Sequence, residues 1–121
     1  MGKDKKTKKG QKDMSCEAAP KNCVQFMLMR YRGEVGLKPK QAMRLGEPLG
    51  HGMAHGGTCG ALIAALMLTG LAGRADATEP MVHAFQRELG FLTCSDLMRH
   101  HVSCNACIKK GCALVDEVLE G

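Results

Sequence analysis

The stretch TCGALIAALMLTGLAG, residues 58–73, decides the fold. Its apolar core, Ala61 to Ala72, runs for twelve residues with only Thr69 and Gly70 as interruptions. Crossing a bilayer as a helix takes about twenty apolar residues, so this run is predicted to be a buried core helix. Thr58 is placed to cap it, and the helix is expected over about Cys59 to Leu71. A helix that is apolar all round has no solvent face and belongs at the centre of its fold. Gly60 and Ala64 lie one turn apart, as do Ala61 and Ala65, so neighbouring helices can approach closely there.

Outward from this centre, every periodic segment has helical spacing. Asn22 is a capping residue before Cys23, Phe26, Met27, Arg30 and Tyr31. Gly33 and Gly36 weaken the end of that helix, and Pro39 opens a short one over Lys40 to Leu45. The next segment, GEPLGHGMAHGG (residues 46–57), holds too many glycines for an ordinary helix and predicts an irregular connection. Glu79 to Leu89 is amphipathic and ends before Gly90. Ser95 to Arg99 and Asn105 to Leu119 supply the remaining helices, the last with Val115, Val118 and Leu119 turned inward. Strand alternation is missing. The expected fold is all-α, a compact helical bundle around a central apolar helix.

Charge divides the chain in two. The first twelve residues, MGKDKKTKKGQK, carry six lysines and one aspartate, and the whole chain has a net charge of +5. From Asp13 onward eleven Lys and Arg balance eleven Asp and Glu. Residues 1–15 are therefore read as a disordered, Lys-rich, basic N-terminal tail, and residues 16–121 as a single helical cysteine-rich domain. A neutral body with no Trp and one Tyr lacks the basic, aromatic face of a specific nucleic-acid binder. No secretory signal and no transmembrane segment are read, so the expected compartment is the cytoplasm. The neutral body is compatible with a homodimer.

Seven cysteines in 121 residues carry the chemistry: Cys16, Cys23, Cys59, Cys94, Cys104, Cys107 and Cys112. An odd number without signs of export argues against a disulfide scaffold and for metal binding, redox cycling or both. Each cysteine alone is more simply a small buried hydrophobe, but seven together are not. Cys59 and Cys94 both fall at expected helix starts, where free N–H groups favour a thiolate. Cys104 and Cys107 form a CxxC and share a helix face. Cys112 lies about 12 Å beyond Cys104 along a straight helix, too far to share one metal ion with it. The CxxC lacks a zinc ribbon's second CxxC and thioredoxin's strand–helix setting, which favours a metal or cluster role over thiol exchange. His51, Met53 and His55 just before Cys59 suggest a soft Cu(I) or Zn site, against the plainer reading of glycine-rich-turn histidines facing solvent.

The segments NCVQFML, MAHGGTCGALIAALMLTGLAG, FQRELGFLTCSDLM and CALVDEVLE resemble, in order and spacing, the C-GCAxxG-C-C family of redox proteins. The resemblance runs from about Asn22 to Glu120 and sets its four defining cysteines on Cys23, Cys59, Cys94 and Cys112. The central motif, Cys-Gly-Ala-x-x-Gly, reads here Cys59-Gly60-Ala61-Leu62-Ile63-Ala64, one methyl larger at its end. The chain also departs from the pattern in placing His51 and His55 before the motif and adding Cys104 and Cys107. The resemblance implies redox activity through Cys23, Cys59, Cys94 and Cys112, with electron transfer or thiol redox as the work. It also implies a redox partner protein or a transporter-associated one. In related modules of split-Soret-type cytochromes an iron–sulfur cluster has been considered. An Fe–S cluster is thus the favoured cofactor, with Zn or Cu as the alternative, and Cys104 and Cys107 extending the set of ligands.

Overall fold

In a computed structural model, residues 19–121 are described; the expected tail and Cys16 lie outside them. Among the described residues the order is α1 (Cys23–Val35), α2 (Pro39–Gly46), α3 (Gly60–Leu71), α4 (Thr78–Leu89), α5 (Cys94–Arg99) and α6 (Cys104–Glu120), with no strand. The fold class is all-α.

Side-chain caps fix where the helices start. Asn22 accepts from the Gln25 N–H at 2.8 Å to begin α1. Thr93 accepts from Asp96 N–H to begin α5, and Ser103 from Ala106 N–H to begin α6. Each satisfies a first-turn donor that has no partner within the helix. At the other ends Gly36 and Gly90 close α1 and α4 in the left-handed conformation, with φ of +73° and +90°.

The central helix is α3, which packs on α1, α4 and α6. Its small side chains set how close those neighbours come. A Cβ on Gly60 would lie 2.6 Å from Cys23 Sγ and 2.9 Å from Val24 Cγ2, so only glycine lets α1 rest here. Gly111 does the same for α6, where a Cβ would stand 3.0 Å from Met27 Cε and 3.1 Å from the Ala61 carbonyl. Leu62, Leu68, Val24, Met27, Leu28, Phe85 and Val115 fill the single core these contacts enclose. The outer side of α3 is less covered than an all-round apolar helix suggests. Ile63, Leu66 and Met67 are half-buried and Leu71 is 51 % exposed.

One buried polar side chain ties α1 to α2. Gln25 accepts from the Lys21 N–H at 2.8 Å and donates to the Met43 carbonyl at 3.0 Å, so both ends of its amide are satisfied. Asn22 adds a bond from Nδ2 to the Gly46 carbonyl at 3.1 Å. These bonds hold the first turn of α1, which carries Cys23.

Thr58 does not cap α3. It pairs with Thr93 in an isolated antiparallel bridge, and the cap position falls to Cys59. Two backbone bonds flank the bridge, Cys59 N–H to the Leu92 carbonyl at 2.8 Å and Cys94 N–H to the Gly57 carbonyl at 2.7 Å. Extended pairing of residues 57–59 with 92–94 takes the Thr58 backbone out of capping geometry. It also clamps the starts of α3 and α5 side by side, each with a cysteine at its head.

A cysteine-lined cavity as the candidate functional site

The four helix starts at Cys23, Cys59, Cys94 and Cys104 converge on one cavity of about 290 Å³. Its walls carry five cysteines: Cys23 from α1, Cys59 at the head of α3, Cys94 from α5, and Cys104 and Cys107 from α6. The rest of the lining is mainly apolar, with Leu97, Val102 and Ile108 inside. Phe26 and Met98, also in the lining, are 42 % and 61 % exposed and form an apolar rim. All five thiols are free.

The thiols are graded by depth. Cys59 and Cys107 are buried, with 5 % and 4 % exposure, Cys23 and Cys94 are half-buried, and Cys104 is exposed. The neighbouring Cys107 thiol is the main influence that brings the Cys59 thiol down to a pKa of about 6. Burial works against it. The Cys59 side chain closes no capping hydrogen bond of standard geometry, but the N–H groups of Ala61 and Leu62 point toward its sulfur and lower the pKa further. Its pairing with Cys59, and then burial, push the Cys107 thiol far up. The two buried thiols are thus shifted in opposite directions, Cys59 toward the thiolate and Cys107 toward the thiol.

The half-buried thiols of Cys23 and Cys94 are shifted the other way from Cys59. Burial, and then the negative charge of Cys59, push Cys23 up to about 11. Burial followed by the charges of Cys59 and Cys104 raises Cys94. The sequence-based expectation of a thiolate at Cys94 is therefore corrected. It heads α5, but that helix has only six residues, and burial near other sulfurs outweighs the helix start. Cys94 instead directs its Sγ at Met98 Sδ, 3.7 Å away one turn on.

Cys112 is not at the cavity. It is buried at 7 % exposure on another face of α6, and its carbonyl lies 3.1 Å from Tyr31 Oη. Five residues of helix turn a side chain about 140° away from Cys107, so both cannot face one site. Of the expected set Cys23, Cys59, Cys94 and Cys112, the cavity brings together the first three with Cys104 and Cys107, and Cys112 lies outside its lining.

The HGMAH segment is not one site either. His51 lines the cavity, while Met53 and His55 are exposed and lie outside its lining. Around them the backbone is left-handed at His51, Gly52, Met53, Ala54 and Gly56, with φ between +55° and +77°. For the three non-glycine residues this conformation costs about 1 kcal/mol or more each. The turn packs on the start of α5, where a Cβ on Gly56 would collide with Ser95 Oγ. Sequence reasoning passed over two lining residues, Phe26 and Met98. Their signal was spacing, since Phe26 follows Cys23 by three residues and Met98 follows Cys94 by four, one helical turn in each case.

Sulfur donors of this kind suit zinc, copper or an iron–sulfur cluster. Among the described residues, however, no group of three or more His, Cys, Asp or Glu side chains is gathered closely enough to hold a metal ion. The residues as placed do not form a ready metal site. Among the described residues no helix is long and apolar enough to cross a membrane.

The fold and site thus define a cysteine-rich, all-helical protein with five free thiols on one cavity. A family model described as "Putative redox-active protein (C_GCAxxG_C_C)" matches residues 21–118, and the chain belongs to that family. No curated protein and no solved structure matches it.

Proposed function

We propose that this protein is a two-electron thiol-redox protein whose working pair is Cys59 and Cys107. The observation that carries this reading is the placement of Cys59, at the head of α3, and Cys107, from α6, as the two buried thiols of one cavity. A thiolate is the nucleophile in disulfide exchange, and one with a pKa near or below ambient pH is largely ionised there. A second buried thiol on the same cavity, Cys107, is placed to resolve the mixed disulfide.

The reaction balances with a disulfide as oxidant. Cys59 thiolate attacks one sulfur of a substrate disulfide, whose S–S bond breaks, and the departing thiolate takes a proton from water. Cys107 then gives up its proton and attacks the Cys59 sulfur. The second substrate thiolate leaves, and a Cys59–Cys107 disulfide remains. Two electrons pass to the substrate, and a dithiol reductant restores the pair. The partner is accordingly a redox protein or small thiol, in keeping with the family's redox description.

The convergence of Cys23, Cys59, Cys94, Cys104 and Cys107 favours a second reading, binding of Fe–S, Zn or Cu by the same thiols. One experiment separates the two. The full chain is purified without oxygen, analysed for iron, sulfide, zinc and copper, then treated with oxidised glutathione and mapped for disulfides. A Cys59–Cys107 linkage in metal-free protein is the expected result. Stoichiometric iron with sulfide, or zinc or copper released only when the thiols are blocked, would replace thiol exchange by the metal reading.

A further inference from the structure

We propose that Cys104 is the entry thiol of a three-cysteine relay, through which the disulfide of a partner protein reaches the buried Cys59–Cys107 pair. The inference rests on the thiol-exchange reading above. Disulfide exchange needs the attacking sulfur at bonding distance from the disulfide and in line with the bond it breaks. Cys59 and Cys107, at 5 % and 4 % exposure, can be reached by a small disulfide entering the cavity but not by one held on the surface of another protein. A protein substrate therefore needs an accessible thiol that can hand the disulfide inward.

Cys104 is the exposed cysteine of the cavity. It is the first residue of α6, with Ser103 as the cap, and Cys107 follows it by one turn. Side chains three residues apart on a helix are neighbours with Cβ atoms about 5–6 Å apart, and a modest adjustment of the first turn brings them to disulfide distance. Cys107 thus belongs to two pairs, one with Cys104 toward solvent and one with Cys59 toward the core. Phe26 and Met98 give the mouth an apolar rim on which a polypeptide can rest.

The steps balance as follows. Cys104 loses its proton to water and attacks one sulfur of the partner's disulfide, whose S–S bond breaks. The first partner thiolate leaves and is protonated from water. Cys107 gives its proton to the Cys59 thiolate and attacks the Cys104 sulfur. That expels the second partner thiolate, which is protonated from water, and forms Cys104–Cys107. Cys59 then loses its proton to water and attacks the Cys107 sulfur, expelling Cys104 as a thiolate. Two electrons have passed from the protein to the partner, and the disulfide has moved from the surface into the core.

The test compares two oxidants on the reduced full chain, oxidised glutathione as the small disulfide and insulin as the protein disulfide. Formation of the Cys59–Cys107 linkage is followed by peptide mapping. In Cys104→Ser the reaction with insulin should slow by about tenfold or more, while that with glutathione changes little. The glutathione reaction of the same variant shows that its cavity is intact. Cys94→Ser, at the half-buried thiol beside the mouth, should keep the wild-type rate with insulin. Equal rates of Cys104→Ser and wild type with insulin, or loss of the insulin reaction in Cys94→Ser instead, would overturn the relay and leave the Cys59–Cys107 reading standing. If wild-type protein forms no Cys59–Cys107 linkage with either oxidant, that reading falls and the relay falls with it.

Discussion

Cys107 and Cys112 lie five residues apart on α6 and are almost equally buried, at 4 % and 7 % exposure. Their surroundings have little in common. Cys107 lines the cavity with four other thiols, and Cys59 among them shifts its pKa. Cys112 faces the packing between α6 and α1, beside Tyr31. The difference comes from helical rotation and from which neighbour each face meets, and burial alone would not have separated them. A buried cysteine is a packing residue unless something across from it gives its sulfur a second role.

The sharpest way to break this contrast is to remove one sulfur from each side. Cys59→Ser should lower the rate of disulfide exchange by about a hundredfold or more, because a hydroxyl is far less ionised and less nucleophilic than a thiolate. Cys112→Ala should leave that rate within about twofold and cost roughly 1 kcal/mol of stability, the price of a small cavity. Stopped-flow exchange with a chromogenic disulfide and urea unfolding measure the two effects. A Cys112→Ala protein that unfolds normally but exchanges a hundredfold more slowly would put Cys112 back in the site.

Two glycines of α3 extend the contrast from sulfur to backbone. Gly60 faces α1, and a methyl there would meet Cys23 Sγ and Val24 Cγ2 at 2.6 and 2.9 Å. Gly70 is in the same helix, with open space where its Cβ would be. Gly60→Ala should destabilise the fold by about 1–3 kcal/mol through overpacking and push Cys23 away from the cavity. Gly70→Ala should stabilise it by up to about 1 kcal/mol through helix propensity. Chemical denaturation of both variants gives the comparison, and equal effects would mean that α1 does not rest on Gly60.

The contrast between Cys59 and Cys107 is readable by pH. Cys59 has a lowered pKa of about 6, so its thiolate fraction should rise through pH 6 and level off above it. A small alkylating reagent should therefore react at a rate that falls about tenfold per unit below pH 6 and is flat near neutrality. Cys107→Ala removes the largest cause of the lowering, the neighbouring thiol, and leaves burial opposed only by the first-turn amides. Its midpoint should move up toward the ordinary thiol range. A midpoint still near 6 in Cys107→Ala would assign the lowering to the α3 amides instead.

Much of this arrangement is legible in local signals. Asn22, Pro39, Gly90 and the apolar run Ala61–Ala72 mark helix ends and the central helix because caps, proline and hydrophobic periodicity act over a few residues. The separation of Cys112 was half legible: its 12 Å axial distance from Cys104 could be read, but not which faces α1 and α3 would cover. That depends on close approach at Gly60 and Gly111, a property of three helices at once. The Thr58–Thr93 bridge joins residues thirty-five apart and overrides a plausible cap. The left-handed backbone at His51, Met53 and Ala54 is likewise imposed from outside, since none of these residues prefers it. The chemistry of Cys94 was misread for a related reason, because neighbouring sulfurs and burial belong to the assembled cavity and not to its own helix.

The last contrast lies on the Cys112 side of α6, away from the cavity. Tyr31, 3 % exposed, directs its single hydroxyl hydrogen toward Asp116 Oδ1 at 2.7 Å, with the Cys112 carbonyl 3.1 Å away. Tyr31→Phe keeps the ring and removes this bond to a charged acceptor, so it should cost about 1–2 kcal/mol and leave exchange kinetics unchanged. Burial, and then the bond to Asp116, raise the Tyr31 pKa above its ordinary value. The neutral phenol is thus the form the fold favours. Its contribution to stability should be complete below about pH 10, the ordinary phenol value, and decline as pH rises beyond it. Unfolding curves of wild type and Tyr31→Phe should therefore differ by a constant amount at neutral pH and converge in strong alkali. A difference that stayed constant at high pH would show that Tyr31 ionises as easily in the fold as out of it. The α1–α6 contact would then rest on packing alone.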